Sequence, residues 1–200
     1  MIVILGAAGS GKSVQGQALA ERHGWKWMSM GQLLRERKDP ELEKAMSAGE
    51  LVDYRVASQM IHDAAEEAGA EGKKAIYDGY PRSMEQLGWM IEKGDVEKVE
   101  GVIVLDVPKD ELWRRLQERR REDDADRAVV EKRWKIFEQE NYSIVEKLRE
   151  HGAKIAQVSG DAAVEVVTDR IDQVLEEWGL INDVDSSDIE RWDERGDCSD

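Results

Sequence analysis

A three-layer α/β fold, built on a five-stranded parallel sheet covered by helices on both faces, is predicted by three observations. Five short strand-like runs recur at 2–5, 24–29, 73–78, 100–107 and 153–160, and stretches with helical periodicity separate them. Strands joined by helices in this way pair in parallel. The first run leads directly into a glycine-rich loop and a helix, an arrangement that cradles phosphate. Finally, 200 residues suffice to bury the core of one domain, and the chain holds no internal repeat, low-complexity segment or proline-rich linker.

The opening run, Ile-Val-Ile-Leu, is followed by Gly6-Ala7-Ala8-Gly9-Ser10-Gly11-Lys12-Ser13 and a helix over 12–22. Glycines at 6, 9 and 11 let the backbone curl with its N–H groups inward. Lys12 is positioned to reach the β- and γ-phosphates, and the Ser13 hydroxyl to meet Mg²⁺. The positive end of the helix adds to the field. The complete spacing after a strand marks a P-loop that binds a nucleoside triphosphate. Four destinations for the phosphate stay open here: water, a small metabolite, another nucleotide, or none.

The second strand, 24–29, precedes helices at 31–37 and 40–48, with Arg35 one turn into the first. A longer helix at 53–69 leads to the third strand, 73–78, which ends in Asp78-Gly79-Tyr80-Pro81-Arg82. Ligands in open α/β sheets bind beyond the carboxyl ends of the strands. Asp78 therefore stands beside the phosphates, as a magnesium ligand, direct or through water, or as a helix cap. After a helix at 83–93 and the fourth strand, helices at 109–121 and 126–150 carry Arg114, Arg115, Arg119, Arg120, Arg121, Arg127 and Arg133, interrupted by Asp123-Asp124. In so acidic a protein we read Arg119, Arg121 and Arg133 as a polyphosphate clamp, and Arg114 and Arg127 as surface ion-pair partners. The fifth strand and a helix at 162–178 complete the domain.

The net charge of −15 disfavours nucleic acid and anionic membranes as partners. The stretch 181–200 holds eight acidic residues against two arginines and reads as a solvated extension. A single cysteine, Cys198, excludes an internal disulfide and a cysteine-cluster zinc site. With neither a signal sequence nor an eighteen-residue apolar run, a cytoplasmic protein is expected. The three histidines match no catalytic pattern.

The cradle, "MSMGQLLRE", "AGELV", "DGYPRSMEQ" and the arginine/Asp-Asp segment occur in the order seen in adenylate kinases, and the chain resembles that family from residue 1 to about 175. The resemblance implies a kinase domain over 1–180, a helical monophosphate-binding insertion near 29–60, a short lid near 116–128 without zinc, and the tail 181–200 outside it. It implies the reaction ATP + AMP ⇌ 2 ADP with Mg²⁺, in a monomer whose partners are small nucleotides. Gly9, Ser10, Gly11, Lys12, Ser13 and Val14 would wrap the ATP phosphates, Arg115 would stack on the adenine, and Gly160 to Ala162 would offer it backbone contacts. Arg35 and Arg82 would reach the phosphate of the monophosphate and Gln86 its base, with Met30 and the backbone of Glu50, Leu51 and Val52 at the base pocket and Gly79, Tyr80 and Pro81 around the site. Lys12, Arg82, Arg119, Arg121 and Arg133 would neutralise the transferring group, and Ser13 and Asp78 would serve the magnesium. The Tyr80-Pro81 bond would be cis.

The chain departs from the family at several positions. Ala8 replaces the usual proline, Ser13-Val14 the usual Gly-Thr, Met30 a common threonine and Gln32 a customary aspartate. From Asp124 to Arg133 the spacing is one residue longer than usual, which leaves Arg120 and Arg121 as rival lid contacts. A UMP/CMP kinase, a small-metabolite kinase and a non-catalytic nucleotide-binding regulatory module remain as alternatives. Gln86 speaks against the first, the "DGYPR" segment against the second, and the arginine set against the third.

Overall fold

The computed structural model describes residues 1–119, 121 and 124–181. Arg120 and the acidic stretch from 182 onward, including Cys198, lie outside the described residues. Strands β1 (Ile2–Gly6), β2 (Lys26–Ser29), β3 (Ala75–Asp78), β4 (Gly101–Asp106) and β5 (Lys154–Ser159) form one parallel sheet in the order β2-β3-β1-β4-β5. Among the described residues, eight α-helices connect and cover them: α1 (Lys12–His23), α2 (Met30–Glu36), α3 (Pro40–Ser47), α4 (Tyr54–Ala70), α5 (Met84–Lys93), α6 (Lys109–Arg119), α7 (Arg127–Glu150) and α8 (Val164–Glu177).

The central strand explains the layers. Alternate side chains of a strand leave on opposite faces, so Ile2 and Ile4 enter one core while Val3 and Leu5 enter the other. Ile2 and Ile4 meet Leu19 of α1 and Val167, Ile171 and Leu175 of α8. Val3 and Leu5 join Tyr77, Leu87 and Met90, together with Ile144 and Leu148 of α7. Both faces of the sheet are thus buried, as parallel sheets require.

Local chemistry sets the helix ends. The Asp39 side chain accepts from the N–H groups of Glu41 and Leu42, with Pro40 at the first helical position, and Asp53, Ser83 and Asp126 cap α4, α5 and α7 in the same manner. Gly24 closes α1 in a left-handed conformation, so β2 begins at Lys26 rather than at 24. A 3₁₀ turn at Val96–Lys98 has no counterpart in the sequence-based expectation. Among the described residues, no helix is long and apolar enough to cross a membrane.

The register aligns the carboxyl ends. Ile4 and Ser29 both pair with Asp78, and Gly6 pairs with Leu105, so the cradle, Asp78 and the start of α2 share one rim. Farther from that rim, β4 packs tightly under the end of α8. A Cβ on Gly101 would lie 2.3 Å from the Trp178 ring. Replacing Gly101 with Ala should therefore cost about 1–3 kcal/mol through overpacking, seen as a fall of several degrees in the thermal midpoint by circular dichroism. An unchanged midpoint would mean that Trp178 can shift without loss.

Candidate active site

A cavity of about 690 Å³ opens at the carboxyl rim, between the cradle, the turn after β3, α6, α7 and the loop from β5 to α8. The cradle is held open from both sides. Gly9 has φ +93°, and a Cβ there would stand 2.6 Å from the Leu112 carbonyl, so only glycine lets α6 approach this closely. On the other side, the Trp134 indole N–H donates to the Ala8 carbonyl at 2.9 Å and ties α7 to the loop. Ala7 and Ala8 pack on a small apolar cluster of Val107, Leu112, Leu116, Val130 and Trp134.

Within the cradle, the Lys12 ammonium donates to the carbonyls of Gly6 at 2.7 Å and Ala7 at 2.9 Å. Enclosure lowers the Lys12 pKa to about 7, with Arg82, Arg133 and Arg119 adding repulsion and Asp78 partly offsetting it. Ser13 Oγ donates to Asp78 Oδ2 at 2.6 Å. These two oxygen groups lie beside the lysine, and hard oxygen donors of this kind suit a magnesium ion.

Next to Asp78 the chain turns sharply, and the Tyr80-Pro81 peptide is cis, as expected. Arg82 is fixed at both ends: its Nε donates to the Gly79 carbonyl and its backbone N–H to Gln86 Oε1, each at 2.6 Å. Arg35 lies against Gly31 on α2 and faces the same cavity.

The arginines of α6 and α7 converge on one carboxylate. Asp124, 1% exposed, accepts from Arg119 Nε at 2.8 Å and from Arg133 Nη1 at 2.9 Å. Arg121 also lines the cavity. Arg115 spans from Glu111, at 2.6 Å, to the Gly160 carbonyl, at 2.9 Å, and so lies across the entrance to the β5–α8 loop. Gln15 fastens α8 behind that loop, donating to the Val164 carbonyl and accepting from Thr168. Arg114 pairs with Glu111 and Glu118, and Arg127 with Glu131, all at the surface.

The cavity collects most of the residues singled out in the sequence: Gly9 to Val14, Arg35, Glu50, Leu51, Asp78, Gly79, Pro81, Arg82, Arg115, Arg119, Arg121, Arg133, Gly160 and Ala162. It does not collect Met30, Val52, Tyr80 or Gln86. Met30 is 1% exposed within the core beside Leu34 and Ile61. Val52 packs on that core, and the Tyr80 ring is buried edge-on against Tyr77 at 5.8 Å. The Gln86 side chain is buried and its oxygen holds the backbone of Arg82. Sequence reasoning missed Asp124 as the hub of the arginines, Trp134 as the brace of the cradle, and the cavity-facing stripe of α7. The stripe had a signal, since Arg133, Phe137 and Asn141 recur at intervals of four.

The comparisons with known proteins agree with this geometry. A sequence profile described as adenylate kinase matches residues 4–153. An adenylate kinase of Pseudarthrobacter chlorophenolicus is 31% identical over 185 residues, covering 87% of this chain and 95% of the relative. One of Mycolicibacterium smegmatis is 33% identical over 158 residues, covering 74% and 86% respectively. A third, from Natronomonas pharaonis, is 27% identical over 208 residues, covering 88% and 97%. With the cradle, the parallel sheet and the arginine-lined cavity of its own structure, this chain belongs to the adenylate kinase family.

Proposed function

We propose that the chain catalyses reversible phosphoryl transfer between ATP and AMP, ATP + AMP ⇌ 2 ADP, with magnesium. The observation that carries this reading is a single cavity that a triphosphate cradle shares with Arg35 and Arg82 and with Arg119 and Arg133, the last two joined through Asp124. A hydrolase needs no second anion site, and a mere nucleotide binder needs no cluster of cations between two sites.

The mechanism follows from charge and position. An oxygen of the AMP phosphate forms a bond to the γ-phosphorus of ATP as the bond to the β–γ bridging oxygen breaks. Such transfer needs in-line placement and positive charge around the equatorial oxygens rather than a covalent intermediate. The cradle N–H groups and Lys12 hold the donor, while Arg35 and Arg82 orient the acceptor. Arg119, Arg121 and Arg133 neutralise the group in flight, and the enclosed cavity limits access of water. Ser13 and Asp78 would hold the magnesium ion, which when bound neutralises phosphate charge and helps orient the donor.

Initial rates with Mg-ATP and AMP, CMP, UMP, GMP or dAMP test the acceptor. AMP should give the highest kcat/KM, and a higher value for CMP or UMP would overturn the adenylate assignment. Those two are the specific competitors because Met30 and Gln86, the residues assigned to the base, stand off the cavity.

Arg133→Ala should lower kcat by roughly 10²–10³, as loss of a preorganised charge donor does elsewhere, with a much smaller change in ATP affinity because the cradle persists. A kcat within twofold of the parent's would remove Arg133 from the clamp.

Proton linkage provides an independent check on Lys12. Its pKa is lowered to about 7 in the free protein, and a bound polyphosphate favours the charged ammonium. Above that pKa, ATP binding must therefore take up a proton, and affinity should weaken as pH rises from about 7 towards 9. Calorimetry at pH 8 in two buffers of different ionisation enthalpy should show uptake approaching one proton per ATP. Zero uptake would mean that Lys12 is already charged.

A further inference from the structure

Of the buried side-chain polar atoms without a hydrogen-bond partner among the described residues, only Asn141 Oδ1 belongs to a residue lining the cavity. Asn141 continues the stripe of α7 that begins at Arg133 and passes through Phe137, and Ile144 lies on the same face. At the helical rise of ~1.5 Å per residue, Asn141 stands about 12 Å along the axis from Arg133. That is the order of the span from the phosphate to the far edge of the base in a nucleoside monophosphate.

The position lies at the acceptor end of the cavity. The neighbouring Glu140 accepts from the Met84 N–H at 3.1 Å, at the start of the helix that follows Arg82. Phe137, Ile144, Met46 and Leu51 make much of the surrounding wall apolar. An orphan acceptor in such a wall awaits a donor, because buried polar groups are rarely left unpaired. The oxygen is itself enclosed in that wall, and a half-turn of the amide, which exchanges oxygen and nitrogen with almost no change in shape, turns it towards a bound base.

The exocyclic amino group of adenine or cytosine is such a donor, whereas guanine and uracil carry a carbonyl at the corresponding position. We infer that Asn141 is a specificity-determining residue of the acceptor subsite, accepting a hydrogen bond from the exocyclic amino group of the base. It supplies from α7 the polar contact that Met30, sunk in the core, does not make. The inference rests on the proposed transfer to a nucleoside monophosphate.

The probe is purine riboside 5′-monophosphate, which is AMP without its amino group. The parent enzyme should prefer AMP over it by roughly tenfold in kcat/KM, the scale of one hydrogen bond in an enclosed site. Asn141→Leu should bring that ratio close to one, lowering AMP turnover while sparing the probe. Asn141→Asp, which keeps an acceptor oxygen and discards the amide donor, should retain the preference; it also covers the case in which the leucine variant fails to fold, checked by thermal melting. If AMP and the probe fall in parallel in Asn141→Leu, or if Asn141→Asp loses the preference, the inference is overturned and phosphoryl transfer stands. If the parent phosphorylates no nucleoside monophosphate at all, the functional reading fails first and takes the inference with it.

Discussion

Two guanidinium groups share one buried carboxylate, and the cationic side of the cavity depends on that sharing. Arg119 ends α6 and Arg133 lies in the second turn of α7, so nothing in the path of the chain brings them together. Left alone, two such charges at an enclosed site would repel and splay. Asp124 accepts from both and is almost wholly buried, while each arginine keeps some exposed surface for a ligand. The arrangement is preorganised: the charges already stand together before a phosphate arrives, which lowers the reorganisation required at the moment of transfer.

Helix α7 relates the separate parts of the site. Trp134 fastens it to the cradle, Arg133 faces the cavity, and Lys132 reaches across to Glu50 at 2.9 Å. Gly49, at φ +66°, lies close enough that a Cβ would stand 2.9 Å from the Val129 carbonyl. Glycine is therefore what lets the segment between α3 and α4 rest against the helix. The cradle, the segment between α3 and α4 and the arginine pair are thus all referred to one helix of 24 residues.

The parts that were legible in the sequence were those encoded locally. The cradle is one contiguous stretch whose glycines, lysine and serine declare their roles by spacing, and the strands announce themselves by short apolar runs between helical ones. Asp78 and Arg82 followed from the rule that strand ends line the ligand rim. What was not legible is non-local. Asp124 reads in sequence as an interruption of an arginine run, and only folding shows it to be the anchor of that run. Met30 begins α2 immediately after β2, and sequence cannot tell whether such a side chain turns to the rim or to the core; here it joins Leu34 and Ile61 in the core. Gln86 was assigned to a base by resemblance, yet its oxygen is engaged by the backbone of Arg82. The histidines, silent as a pattern, prove to be partners of carboxylates away from the cavity: His23 with Asp172 and His62 with Asp95.

The brace between Trp134 and Ala8 bears on how this site tolerates drift. Its acceptor is a main-chain carbonyl, a group that every amino acid supplies, so the bond is indifferent to the side chain at position 8. Alanine there forfeits the rigidity of a proline ring without forfeiting the attachment. The donor has no such freedom, because among the apolar side chains only tryptophan combines bulk with an N–H. Variation can therefore accumulate on the loop side of the contact while the helix side stays constrained, and a cradle of unusual composition keeps its shape through a residue outside the motif.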